Sequence, residues 1–269
     1  MSRRAQLLAL MEELGIEPKK SLGQNFLVSD HVIDKIIDRV QRLRPGSLVE
    51  IGPGLGALTM GLHQLQVPLH LIELDRAFVE YWRRQGFTVS DEDALRWRWK
   101  ELDSQRPRIL VSNLPYQISS SLVVDRSLDD AVDGMVLMFQ KEVAQKLNAR
   151  QDQSVYGMLS VLAQTFWDIE FLLEASSGDF LPPPKIASRV LVFQKKASGI
   201  TNPADFLRFV KACFLHPRKL MLSNLCEGLG RTRADLQPAF ESLKIKDKIR
   251  AQQLKVQQFV ELYRALGYR

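Results

Sequence analysis

Apolar residues recur along this chain in two rhythms, and their order predicts an architecture. From Asp30 to Val40 the residues Val32, Ile33, Ile36, Ile37 and Val40 fall at helical spacing, which makes an amphipathic helix with Ser29-Asp30 placed to cap it. Gln6 to Leu14 carries a similar pattern. Short apolar runs then predict strands at Ser47 to Ile51, Leu69 to Leu74, Phe87 to Ser90, Ile109 to Asn113 and Gly134 to Gln140. Helical stretches at Ala57 to Gln66, Ala77 to Gln85 and Lys141 to Asn148 come between or after them. Strand, helix, strand crossovers specify a parallel sheet. Tyr156 to Gln164 reads as a helix and Trp167 to Leu173 as a strand. Arg189 to Lys195 reads as a last strand, antiparallel at an edge, and Phe180 to Lys185, with its three prolines, as a stiff connection. Beyond Ala197-Ser198-Gly199 only helical patterns remain: Asp205 to Leu215, Lys219 to Leu229, Arg233 to Leu236 and Val256 to Leu266, divided by Pro217, Gly228-Leu229-Gly230 and Pro238. The expectation is a mostly parallel α/β domain over 1–196 and a small all-helical domain over 197–269.

Charge sharpens that division. The chain of 269 residues carries a formal charge of +6. Residues 197–269 hold 13 Lys or Arg against 6 Asp or Glu, a balance of +7, so the preceding part sums to −1. A basic surplus confined to one segment points to an anionic partner for that segment. No uninterrupted apolar run reaches the roughly 18 residues of a membrane span. The opening residues lack a small-residue cleavage site and soon turn acidic at Glu12-Glu13, so a soluble, cytoplasmic protein is expected. Cys213 and Cys226 lie outside any CxxC or His-rich spacing, which calls for neither a metal site nor a disulfide framework.

Candidate chemistry gathers at the ends of the predicted strands. Glu50-Ile51-Gly52-Pro53-Gly54-Leu55-Gly56 places glycines where strand turns into helix, so that backbone approaches a ligand closely. A dinucleotide site uses G-x-G-x-x-G. Here the spacing is tighter and Pro53 removes a donor, which suits a ligand without pyrophosphate, such as S-adenosylmethionine. Glu73, 21 positions after Gly52, ends the second strand, where a carboxylate accepts ribose hydroxyls. Asp93 follows the third strand. Asn113-Leu114-Pro115-Tyr116 closes the next, offering an amide oxygen, outward carbonyls beside a rigid turn, and a ring for stacking.

With these residues in order, the chain resembles the KsgA family of ribosomal RNA adenine dimethyltransferases. Ser21-Leu22-Gly23-Gln24-Asn25-Phe26-Leu27, Glu50 to Thr59, Glu73 to Arg76, Asp93-Ala94, Asn113 to Tyr116, Gln140 to Ala144, Tyr156 to Val161 and Phe180 to Lys185 carry the likeness, over about residues 19–230. The resemblance implies a Rossmann-like class I methyltransferase sheet. It also implies S-adenosylmethionine as cofactor and two adjacent adenosines of small-subunit ribosomal RNA, within a precursor subunit, as substrate. It puts Asn25 and Leu27 at the methionine end of the cofactor, Gly52 and Gly54 beneath it, Glu73 on the ribose and Asp93 on the adenine amine. Asn113, Leu114 and Tyr116 form the target site, Asn113 also bordering the cofactor, and Phe180 stacks on the other face of the flipped base. Ile186-Ala187-Ser188-Arg189 and the chain beyond Gly230 depart from the family pattern. For the RNA, the basic segment offers Arg218, Lys219, Arg231 and Arg233 and the run Lys244, Lys246, Lys248 and Arg250. No motif demands more than a monomer. The alternatives are a large-subunit dimethyltransferase of the macrolide-resistance class, a transcription or assembly factor of the same fold, and a DNA adenine methyltransferase. Leu114, where the last would carry proline, disfavours it.

Overall fold

The computed structural model describes residues 2–18, 24–99, 102 and 104–268. In chain order the elements are α1 (Arg3–Leu14), β1 (Phe26–Leu27), α2 (Asp30–Arg42), β2 (Ser47–Ile51), α3 (Thr59–His63), β3 (Leu69–Glu73), α4 (Arg76–Arg84), β4 (Thr88–Asp91), β5 (Arg108–Asn113), α5 (Ser119–Ser127) and β6 (Gly134–Gln140). There follow α6 (Lys141–Leu147), α7 (Met158–Phe166), β7 (Trp167–Ala175), β8 (Phe180–Leu181), β9 (Ser188–Lys195), α8 (Pro203–Cys213), α9 (Met221–Leu229), α10 (Arg233–Ser242) and α11 (Val256–Ala265).

The chain divides into two compact units. The first comprises Met1–Arg126, Asp130–Ala144 and Ile169–Lys195; the second comprises Ser127–Asp129, Gln145–Asp168 and Lys196–Arg269. Lys196 does open the second unit's long segment, close to the expected boundary. The stretch Gln145–Asp168, expected in the α/β domain, belongs instead with the C-terminal helices. Its helix α7 is apolar on nearly every side, with Val161, Leu162, Ala163 and Phe166 all buried. Phe166 meets Phe206 of α8 edge to face at 5.9 Å, and Phe206 in turn meets Tyr263 of α11 at 5.2 Å.

In the first unit, a seven-stranded sheet runs in the order β4-β3-β2-β5-β6-β9-β7. The pairs from β4 to β6 are all parallel, and β6 pairs with β9 antiparallel. The buried stripe of α2, Val32, Ile33, Ile36 and Val40, packs with Leu48, Ile109, Val136 and Met138 of the sheet, each such side chain contributing about 1.5–3 kcal/mol when fully removed from water. α4 buries Phe78, Val79 and Trp82, and Asp75 caps it by accepting from Ala77 N at 3.2 Å. Among the described residues no helix is long and apolar enough to cross a membrane.

Several elements differ from the sequence expectation. The last strand is interior: β9 lies between β6 and β7, and the edge is β7, whose faces are largely exposed or half-buried. The proline-rich segment is more than a connection, because β8 at its start pairs with β1, Phe26 opposite Leu181 and Leu27 opposite Phe180. α3 is short, since the glycine-rich stretch continues as turns to Leu58. α5 begins at Ser119-Ser120-Ser121, residues of poor helix propensity that hid it.

In the second unit Pro238 sits inside α10. The helix survives its missing N–H because Thr232 and Asp235 cap each other reciprocally, Asp235 N to Thr232 Oγ1 at 3.3 Å and Thr232 N to Asp235 Oδ2 at 2.9 Å. Gly228 does not end α9; Gly230 does, in the left-handed region at φ 64°. Gly228 instead lets α9 lie against α8: a methyl there would fall 2.6 Å from Ala212 Cβ and 2.9 Å from its Cα. Gly228→Ala should therefore destabilise the protein by roughly 1–2 kcal/mol, overpacking outweighing the helix-propensity gain of about 1 kcal/mol. Thermal unfolding checks this, and a raised midpoint would mean the helices part at no cost.

Candidate functional site

Parallel pairing brings the carboxyl ends of β2, β3 and β5 side by side, and a cleft opens there. Gln24, Asn25, Leu27, Glu50, Gly52, Gly54, Glu73, Asp93, Asn113, Leu114 and Tyr116 are among its walls. Every expected cofactor residue thus meets the expected target motif in one cleft of the first unit. Of the expected N-terminal signature, Ser21 to Gly23 lie outside the described residues.

The glycine turn is held in shape before any ligand arrives. Gly52, Gly54 and Gly56 all have positive φ, and Trp82 Nε1 donates to Gly54 O at 2.8 Å. The glycines serve different ends. A methyl on Gly56 would lie 2.7 Å from the Trp82 ring, whereas one on Gly52 would meet only Pro115 Cδ at 4.0 Å. Gly56 is therefore required by packing as well as backbone, while Gly52 answers to its φ of 63° and leaves the cleft open.

Glu73 is 8% exposed and anchored through backbone donors: Oε1 accepts from Leu74 N at 2.8 Å and Asp75 N at 2.9 Å, and Oε2 from Gly54 N at 3.3 Å. Burial raises its pKa, while these bonds oppose the rise. Asp93 Oδ1 accepts from Leu95 N at 2.9 Å, which fixes the loop after β4. Asn113 Nδ2 donates to Asn25 O at 2.9 Å, so the amide nitrogen is committed and the oxygen is the end left to accept. β1 holds Asn25 in reach, through its pairing with β8 and the bond from Val28 N to Asp179 O at 2.8 Å.

Phe180 is not where the resemblance put it. It is 1% exposed and packs with Leu27, Ala175 and Val190 in the core, away from the cleft walls, so it offers no stacking face in this arrangement. A different residue of the same region reaches the site. Tyr116 Oη lies 3.0 Å from Ser188 Oγ, and Ser188, at the start of β9, is fully buried. Sequence reading passed Ser188 over as part of a departure from the family pattern. Its one signal was a lone hydroxyl opening an otherwise apolar strand.

Glu50 is the second residue that was passed over as chemistry. It lies on β2 at the cleft floor, 2% exposed, and its Oε2 is buried without a hydrogen-bond partner among the described residues. Such an orphaned oxygen marks a position built for a polar ligand group or an ordered water. With the open glycine turn and the anchored Glu73, the donor and acceptor set fits a ligand carrying ribose hydroxyls and a charged amine, as S-adenosylmethionine does.

In the second unit the expected RNA contacts fare unevenly. Arg218 is exposed and enters no ion pair among the described residues. Lys219 Nζ is bound to Glu227 at 3.1 Å, which also holds His216 at 2.8 Å. Arg231 donates to Leu266 O at 3.1 Å and lies over Tyr268, 5.2 Å from the ring centre. Arg233 is paired with Asp247. Three of these four residues hold the helical unit together.

Burial pushes the Glu50 carboxyl from 4.5 up to about 8. A carboxyl raised on folding contributes stability that is present below its unfolded pKa and lost as pH rises through the folded one. The wild-type unfolding midpoint should thus fall between about pH 5 and pH 8, and Glu50→Gln should flatten that fall. Parallel pH profiles in the two proteins would show that Glu50 is ionised throughout.

Comparison with known proteins agrees with this geometry. Residues 16–267 match the family model for ribosomal RNA adenine dimethylase. The chain is 50% identical over 269 residues to a ribosomal RNA small subunit methyltransferase A of Bdellovibrio bacteriovorus, covering 98% of each chain. It is 38% identical to a protein of the same name from Syntrophotalea carbinolica, over 91% of this chain and 95% of that one. Among solved structures, a dimethyladenosine transferase from Plasmodium falciparum superposes with a TM-score of 0.75 at 24% identity, covering 90% of this chain and 98% of that chain. The 23S rRNA methyltransferase ErmE superposes at 0.67 with 21% identity, covering 90% and 100%; at such identities these two show a shared fold. On the strength of the family match and the curated relatives, the chain belongs to the ribosomal RNA adenine dimethylase family.

Proposed function

We propose that this protein transfers methyl groups from S-adenosylmethionine to N6 of two adjacent adenosines in small-subunit ribosomal RNA, two methyls to each, during subunit assembly in the cytoplasm, and that it acts as a monomer. The observation that carries the reading is the bond from Asn113 Nδ2 to the Asn25 carbonyl, which turns the amide oxygen into the acceptor at a cleft suited to the cofactor. The names of the curated relatives favour the small subunit over the large.

The bound cofactor supplies an electrophilic sulfonium methyl. The rest is the work of the chain. Glu73 accepts the ribose hydroxyls, Asp93 the adenine amine, and Gly52 and Gly54 admit the cofactor at close range, with Asn25 and Leu27 at its methionine end. Adenine N6 is a poor nucleophile because its lone pair is delocalised into the ring. Hydrogen bonds from its two hydrogens to Asn113 Oδ1 and the Leu114 carbonyl localise that pair and aim it at the methyl, so positioning is the main catalytic effect. Flipping the base out of its stack costs a few kcal/mol, and stacking on Tyr116 returns about 1–3 kcal/mol.

Methylating isolated small and large subunits with labelled cofactor tests the substrate, and label confined to large subunits would overturn it. Asn113→Ala should lower kcat by about a hundredfold or more while calorimetry finds cofactor affinity within a fewfold of wild type; near-normal turnover would remove Asn113 from the chemistry. Ser188→Ala and Tyr116→Phe each delete one end of the same hydrogen bond. Each should slow turnover by about fivefold, the worth of roughly 1 kcal/mol, with the double variant no slower than either. Additive losses would mean that the two hydroxyls act separately.

A further inference from the structure

The link from α10 towards α11 carries cations at every second position. Lys244, Lys246, Lys248 and Arg250 are exposed, whereas Ile245 is buried and Asp247 and Ile249 are half-buried. Backbone bonds impose this alternation: Ile245 N to Phe240 O at 2.8 Å, Ile249 N to Lys246 O at 3.1 Å and Met221 N to Ile249 O at 2.9 Å. The one carboxylate of the stretch, Asp247, accepts from Arg233 and Gln237. No ion pair among the described residues engages any of the four outward cations.

Lys248 and Arg250 run into a groove whose other walls are Asp152, Gln153, Ser154, Leu220, Gln252 and Gln253. The groove is rich in donors for a structural reason. Gln153 Oε1 accepts from Arg150 N and Gln253 Oε1 from Arg250 N, each at 2.8 Å. Both amides thereby spend their oxygens on backbone and keep their NH2 ends for a ligand. The two walls are tied by Asp152 N to Gln252 O at 3.0 Å. Two cations, two amide donors and the Ser154 hydroxyl suit a phosphodiester. Asp152, the only acid among these walls, would repel a lone acidic peptide but suits a donor hydroxyl beside the phosphate. RNA supplies that hydroxyl on every ribose.

We propose that this groove docks the backbone of RNA, with Lys248 and Arg250 on phosphates and Asp152 on a ribose 2′-hydroxyl. The inference rests on the reading of the protein as a ribosomal RNA enzyme, and it moves the grip from Arg231 and Arg233, which are used internally, to residues with no such task.

The test measures binding of the full chain to protein-free small-subunit RNA and to intact small subunits between about 0.05 and 0.2 M salt. The paired variant K248Q/R250Q should bind both about tenfold more weakly, with the slope of log affinity against log salt reduced by about 1–2. K211Q, which removes an exposed cation on α8, should leave affinity nearly unchanged. Asp152→Asn should narrow the preference for RNA over DNA of the same sequence. An unchanged slope in K248Q/R250Q overturns the groove alone. Weakening on intact subunits but not on free RNA identifies a protein partner and also overturns it. A wild-type protein without salt-dependent binding to either would overturn the ribosomal RNA reading as well.

Discussion

At the centre of the sheet β2 is flanked by two parallel neighbours, Ile51 opposite Ile72 of β3 and Glu50 opposite Val111 of β5. Parallel pairing has one consequence that antiparallel pairing lacks: neighbouring strands finish on the same side. The glycine turn after β2, Glu73 at the end of β3 and Asn113 at the end of β5 are therefore neighbours in space, though 61 positions separate Gly52 from Asn113. The helices that return the chain between strands are amphipathic for the same reason, since each must cover a sheet face. The cleft follows from the topology, and the residues at its rim supply the chemistry.

Rigidity at that rim comes from elements outside the parallel set. β1 and β8 are two residues each, too short to be stable alone, yet together they bring the Asn25 carbonyl to Asn113. β9 brings the Ser188 hydroxyl to Tyr116. A chemical step that depends on aiming a lone pair needs its acceptor and its stacking ring fixed in advance, and both are fixed here by single hydrogen bonds. Glu50 shows the other side of the arrangement: a carboxyl that burial drives to about 8 is a cost to the folded state, tolerable where a ligand or water completes its bonding.

The basic surplus of the last segment divides in the same physical terms. Arg231 and Arg233 are spent on a carbonyl, a ring and a carboxylate within the helical unit. Those between Lys244 and Arg250 face outward because the inward positions are taken by isoleucines and by an aspartate already bound. Net charge identified the segment with a surplus, and partner geometry decides which cations have charge to offer.

By itself the sequence determined the parallel order of β2 to β6, the helices that cross between them, and the strand-end set Gly52, Gly54, Glu73, Asp93 and Asn113. These depend on local periodicity and on glycine and proline chemistry, which act over a few residues. What only the tertiary structure decided depends on contacts between distant positions. The burial of Phe180 beside Leu27, the hydroxyl of Ser188 on Tyr116, and the orphaned oxygen of Glu50 leave no local pattern. The passage of α7 to the C-terminal helices is of the same kind, since an apolar helix reads alike wherever it packs. Side-chain periodicity tells which residues must be buried, and only the folded chain tells against what.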